Sequence, residues 1–149
     1  MSSRNGLSLF TTRLLTSSEQ ESASSVLIAQ AHDRLQNHDY EKAHNLAERC
    51  IEQCAGLRDT HLKIILSARR MIAEIAELQG DQQKTVDNYK QIATLCAGKE
   101  VELLGDYLFA NIRIGMNAIV NKEFNTAIEI FKKLVNGEIH EDQGSDSAA

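Results

Sequence analysis

Proline and tryptophan are absent from this chain, glycine numbers 8 in 149 residues, and aromatic residues make up 5%. So little turn-forming material leaves few sites for the many tight reversals of a stranded β fold. Clustered positive charge is also missing: 16 Lys and Arg against 21 Asp and Glu give a net charge of −5, which argues against nucleic-acid binding. No apolar run approaches the ~20 residues of a membrane crossing, and Leu7-Ser8-Leu9-Phe10 is too short for a secretory h-region. Three cysteines, an odd count without secretory features, point to reduced thiols and a cytoplasmic setting. What remains is rich in Ala, Leu, Ile, Glu, Gln and Lys, with 42% hydrophobic and 25% charged residues. That composition predicts one all-α globular domain.

Against this background one regularity stands out, a spacing of 42 residues. Ala31, Ala73 and Gly115 form a register of small residues; Ala43, Thr85 and Ala127 form a second. Cys50, Ile92 and Leu134 form a third, Asp39, Asp81 and Glu123 an acidic fourth, and Tyr40, Gln82 and Phe124 a less regular set. A period between about 20 and 50 residues marks repeat architectures, in which each unit buries its apolar face only when its neighbour stacks on it.

Residues 1–17 read as a flexible arm, 18–136 as the helical domain and 137–149 as a disordered acidic tail. The alternative for the basic, Ser/Thr-rich arm is a mitochondrial presequence with Leu7, Phe10 and Leu14 on one face. Ser17 or Ser18, with Glu21, is the expected cap of a first helix running to about Gln36. Asp39 caps a second, where Ala43, Leu46, Ala47, Cys50, Ile51 and Cys54 keep helical spacing, and Gly56 is its expected stop. A third opens at Asp59 or Thr60 and closes at Gly80, and a fourth runs from Asp81 to near Gly98. The fifth, expected from about Lys99 to Asn121, is apolar around most of its circumference, which predicts burial on more than one side. The sixth spans Phe124 to about Val135.

The segment His38-Asp39-Tyr40-Glu41-Lys42-Ala43 resembles the Gly-Asp-Tyr-x-x-Ala turn of tetratricopeptide repeats. Gly80-Asp81 with Thr85 gives a weaker copy, and Lys122-Glu123-Phe124 with Ala127 a third. The resemblance covers residues 22–136 and implies three helix–turn–helix units in a short right-handed α-solenoid. There Ala31, Ala73 and Gly115 would let paired helices approach, while Tyr40 and Phe124 would fill the wedge between units, and Tyr89 and Phe131 would extend that core. The sequence departs from the family in having no Pro after the second helix and in exceeding the usual repeat of about 34 residues.

Chemistry-bearing patterns are scarce. No phosphate loop, nucleophile elbow, HExxH or DxDxDG pattern occurs, so no catalytic residue and no cofactor are expected. Cys50 and Cys54, with His44 or Cys96, lack the second short-spaced pair of structural zinc sites and read as buried thiols. His32, His38 and His44 are set six apart across a turn and do not form a metal site. The pairs Glu74/Glu77 and Glu100/Glu102 read as solvated helix faces.

The fifth helix carries the functional expectation. If first helices line a concave groove, as the resemblance implies, then Phe109, Ile112, Met116, Ile119 and Val120 face that groove or a following unit. The alternative is that they are covered within the chain. Arg69 and Arg70 either steer an acidic peptide or are ion-paired within the fold. The expectation is a non-enzymatic adaptor or chaperone that takes a protein or peptide segment into an apolar groove, with Phe109, Ile112 and Met116 as anchors and Arg70 as the steering charge. Alternatives are a homodimeric structural subunit, or the sensory module of a longer regulator.

Overall fold

The computed structural model describes residues 16–55 and 61–137. Among these residues there are six α-helices and no strand: α1 (Ser17–Gln36), α2 (Tyr40–Cys54), α3 (Leu62–Leu78), α4 (Gln82–Leu95), α5 (Leu104–Val120) and α6 (Phe124–Val135). The all-α expectation holds. Each helix packs against the next in sequence, and α1 also reaches α3.

Three of the connections are built alike. His38, Gly80 and Lys122 adopt left-handed backbone, with φ of 61°, 78° and 63°, and stand 42 residues apart in sequence. The next amide turns back in each case: Asp39 N–H donates to the Arg34 carbonyl at 2.9 Å, Asp81 to Ala76 at 2.9 Å and Glu123 to Ala118 at 2.7 Å. This closure satisfies carbonyls that the end of a helix leaves unpaired. The acidic residue then opens the following helix. Asp39 accepts from the Lys42 amide at 3.3 Å and Asp81 from Lys84 at 3.1 Å. Glu123 makes no such bond, because its carboxylate sits one methylene farther from the backbone than an aspartate's.

Several predicted boundaries shift. Thr16, not Ser17 or Ser18, caps α1, and its box partner is Glu19 rather than Glu21. Thr16 N–H donates to Glu19 Oε1 at 3.0 Å, and Glu19 N–H donates to Thr16 Oγ1 at 3.1 Å. The α5 helix begins at Leu104 instead of Lys99. Gly98 turns left-handed at φ 81°, and residues 99–103 form turns in which Lys99 N–H donates to Cys96 O and Leu103 N–H to Lys99 O. Residues 1–15, the expected stop at Gly56, the expected opening at Asp59 or Thr60, and the tail past Gly137 lie outside the described residues.

The core has two centres, with α3 between them. Leu27, Ala31 and Leu35 of α1 meet Ala43, Ala47 and Cys50 of α2 and Ala68, Met71, Ile72 and Ile75 of α3. The opposite side of α3, with Leu62, Leu66 and Ala73, meets Tyr89, Ile92, Cys96, Leu103 and Ala110. Burying one Leu or Ile side chain contributes about 1.5–3 kcal/mol, and Leu66, Ile72, Ile75 and Ile92 are all fully enclosed. Of the small-residue registers, Ala31, Ala73, Gly115, Ala43, Thr85 and Ala127 are all buried.

Burial then thins toward the C-terminal hairpin. Only Ala110, Gly115 and Ala118 are buried in α5, and only Ala127 in α6. The expectation that α5 is enclosed on several sides is therefore corrected: α5 packs chiefly on α4 and α6, too few neighbours to cover an apolar surface that wraps the helix. Phe124 is corrected with it. Tyr40 packs against the first core centre, but Phe124 is exposed, because no described helix follows α6.

Candidate interaction surface

The face shared by α3 and α5 is held by a reciprocal pair of ion bridges. Arg70 donates to Asp106 at 3.3 Å, and Arg113 pairs with both carboxylate oxygens of Glu77. Arg70 and Glu77 lie two helical turns apart on α3, as Asp106 and Arg113 do on α5. The order of charge is reversed between the helices, which fixes one relative register. Half-exposed pairs of this kind contribute about 0.2–1 kcal/mol each, so they position more than they stabilise.

Aromatic rings fill the space beneath. The Arg70 guanidinium lies 4.2 Å from the centre of the Phe109 ring, and that of Arg113 lies 5.7 Å from the rings of both Tyr89 and Phe109. Tyr89 and Phe109 meet edge to face with centroids 5.7 Å apart. Burial raises the Tyr89 phenol above its ordinary pKa, and Arg113 beside it opposes that shift only in part. The ring therefore stays neutral, a hydrogen-bonding and packing group rather than an anion.

Beside this clasp a cleft of about 350 Å³ opens between α3, α4 and α5, lined by Glu77, Thr85, Val86, Tyr89, Arg113, Met116 and Val120 among others. A neighbouring recess of about 450 Å³ shares Glu77, Tyr89 and Arg113 and extends to Arg70 and Phe109. Together they form a concavity in which apolar side chains alternate with the Arg70 and Arg113 guanidiniums and the Glu74 and Glu77 carboxylates.

The structure divides the residues singled out from sequence. Met116 and Val120 are exposed and line the smaller cleft. Ile112 and Ile119, also exposed, are not among its lining residues. Phe109 is half-buried under Arg70, so it walls the recess and is not a free anchor. Arg70 is ion-paired with Asp106, one of the two alternatives read from sequence. Sequence reasoning missed the contributions of Tyr89, Glu77, Asp106 and Arg113 to this surface. The reversed Arg–Glu and Asp–Arg pairs at equal spacing are the signal that could have found them.

The thiols are interior to the fold, Cys50 and Cys54 beside Ser24 and Cys96 in the core centre behind Tyr89. Cys50, Cys54 and Cys96 are free and buried; Cys50 donates to the Ser24 carbonyl at 3.5 Å and Cys54 to Ser24 Oγ at 3.2 Å. Burial pushes the Cys50 thiol up to about 12 and the Cys96 thiol up to about 11, with nearby Asp106 and Glu100 adding to the second. Among the described residues no group of three His, Cys, Asp or Glu side chains is placed to hold a metal ion. No helix there is long and apolar enough to cross a membrane. Glu102 is exposed as expected, but Glu100 is fully buried and neither carboxylate oxygen has a hydrogen-bond partner. The solvated reading of Glu100 is corrected: the turns ahead of α5 fold it inward. Comparison with protein-family models, curated proteins and solved structures returned no match in any of the three.

Proposed function

We propose that this chain is a tetratricopeptide-like array of three helical hairpins that works without catalysis, as an adaptor or chaperone binding a protein or peptide segment. The observation that carries the reading is the concavity between α3, α4 and α5. There Met116 and Val120 present exposed apolar surface beside Tyr89 and two ion-paired arginines. The recurrence of the same left-handed turn every 42 residues supports the repeat arrangement. A partner helix or extended strand would seat apolar side chains at Met116 and Val120, and an acidic group on the partner would compete for Arg113 or Arg70. Affinity would come from apolar burial at roughly 25 cal/mol per Å² less the cost of ordering the segment.

The test is selection of a random-peptide library on the purified chain, repeated with Met116→Glu. The reading expects enriched peptides with apolar anchors and an acidic residue, whose binding falls at least about tenfold in the variant. It is refuted if nothing is enriched, or if the enriched peptides bind the variant equally well.

A further inference from the structure

The exposed apolar side of the α5–α6 hairpin follows a pattern. Shifted back by two periods of 42 residues, Ile112, Ile119, Phe124 and Val135 fall on Ile28, Leu35, Tyr40 and Ile51, all of which pack in the first core centre, where α3 covers α1 and α2. Leu35 is 9% exposed, whereas Ile119 is 47% exposed. One period back, Ile128 falls on Val86, and exposure rises from 7% at Val86 to 59% at Ile128. The last hairpin thus carries apolar side chains at positions that the next helix covers elsewhere in the fold. At roughly 150–200 Å² for a large side chain, the exposed fractions of Ile112, Ile119, Phe124, Ile128 and Val135 amount to about 500 Å² per chain. That is near the top of the range for the largest apolar patch on a monomer.

We infer that this face is covered by a second copy of the chain, in a two-fold dimer that sets α6 antiparallel to its counterpart. The inference rests on the repeat reading above. Three observations select this occupant. First, α6 ends on Lys132 and Lys133 in its last turn, whereas its start, with Glu123 beside Lys122, carries no net charge. An antiparallel pair keeps the two basic ends apart, sets each near the partner's Glu123 and opposes the helix dipoles, whereas a parallel pair would bring the four lysines together. Second, two such faces meeting bury about 1,000 Å², the size a specific interface should clear.

Third, stacking head to tail is disfavoured by the other end of the fold. The α3 residues that cover the first hairpin include Ile72 and Ile75; the same positions of α1 are Gln30 and Asp33. A copy stacked through α1 would bury those polar groups against hydrocarbon, at a cost of about 1–3 kcal/mol for each left unpaired. The two-fold contact avoids this and closes on itself.

Light scattering across a concentration series, with complementary charge variants of the full chain, tests the dimer. The wild type is expected to be a dimer that dissociates on dilution, and Ile128→Glu a helical monomer. Glu123→Lys, and separately Lys132→Glu combined with Lys133→Glu, should each weaken dimerisation about tenfold, and mixing the two should restore it. These charge changes lie on the surface, so they remain informative if Ile128→Glu fails to fold. A wild type that is monomeric at every accessible concentration overturns the inference, as do oligomers that grow beyond two copies or charge variants that do not rescue each other. Peptide selection on the same proteins separates the two proposals. A wild type that is monomeric yet enriches peptides overturns only this inference, and a wild-type dimer that enriches none overturns only the groove.

Discussion

Gly115→Ala tests how closely α5 and α6 approach. A Cβ built on Gly115 falls 2.6 Å from Phe131 Cζ, 2.8 Å from one ring Cε and 3.2 Å from the other. Carbon atoms rest at about 3.5–4.0 Å, so the ring must withdraw by about 1 Å. Helix propensity alone would reward the change by about 1 kcal/mol, while overpacking costs about 1–3 kcal/mol. The single variant should therefore range from neutral to about 2 kcal/mol less stable.

The diagnostic is the cycle with Phe131→Ala. That substitution costs about 3–5 kcal/mol in a full core, and nearer 2 kcal/mol here because Phe131 is half-buried. With the ring gone, the methyl group introduced by Gly115→Ala has room and its propensity gain is felt in full. The double variant should then be about 1 kcal/mol more stable than Phe131→Ala alone. The resulting coupling of about 1–3 kcal/mol equals the overpacking term. Urea unfolding followed by far-ultraviolet circular dichroism measures it, at one protein concentration because a dimer's stability depends on concentration. If Gly115→Ala is stabilising by itself and the cycle is additive, the ring does not rest on Gly115, and the small-residue register is not a packing device at that position.

Two further outcomes follow from backbone and burial. Lys122→Gly should stabilise the fold by roughly 1 kcal/mol, because Lys122 holds φ at 63° where a side chain is strained; unchanged or lower stability in thermal unfolding would contradict this. Alkali should destabilise the fold from about pH 9 upward. Cys50 and Cys96 ionise at 9.0 in ordinary surroundings but at about 12 and about 11 when folded. Above 9 the unfolded chain therefore releases protons that the folded chain keeps. Stability is full below 9 and is lost at up to about 1.4 kcal/mol per thiol per pH unit as pH climbs toward the folded values. Tyr89 and Tyr107, also raised by burial, act in the same direction above 10. Cys96→Ala should flatten the slope between pH 9 and 11 in urea midpoints, and a slope unchanged by that substitution would refute the assignment.

Periodicity made the hairpins legible. Asp39 and Asp81 cap because an aspartate next to a turn has few other roles, and Ala43 and Ala127 are buried because small residues at a fixed interval mark close approach. What sequence could not resolve was which apolar residues would find a cover. Phe109 and Met116 look alike along α5, yet one lies beneath Arg70 and the other opens onto a cleft. The difference comes from α3, distant in sequence, whose charges reach across to hold the first. Glu100 misled for a related reason. Its alternation with Glu102 suits a solvated helix face, but the chain has not yet entered α5 there, and the turns fold one carboxylate inward while leaving the other exposed.

The three turns separate local preference from packing. Only Gly80 suits left-handed backbone, yet His38 and Lys122 take the same path, each at a cost of roughly 1–2 kcal/mol. A turn dictated by local preference would relax at those two positions. It does not, because the following amide must reach the carbonyl five residues back and the small residues on each side must bring the paired helices together. The strain is thus held by the hairpin's own packing. This explains why the third turn keeps its geometry even though Glu123 lacks the capping bond that Asp39 and Asp81 make. By the same reasoning, loosening Gly115 against Phe131 should destabilise the Lys122 turn before either of the others. Hydrogen exchange of the Glu123 amide in Gly115→Ala, compared with those of Asp39 and Asp81, would show that order.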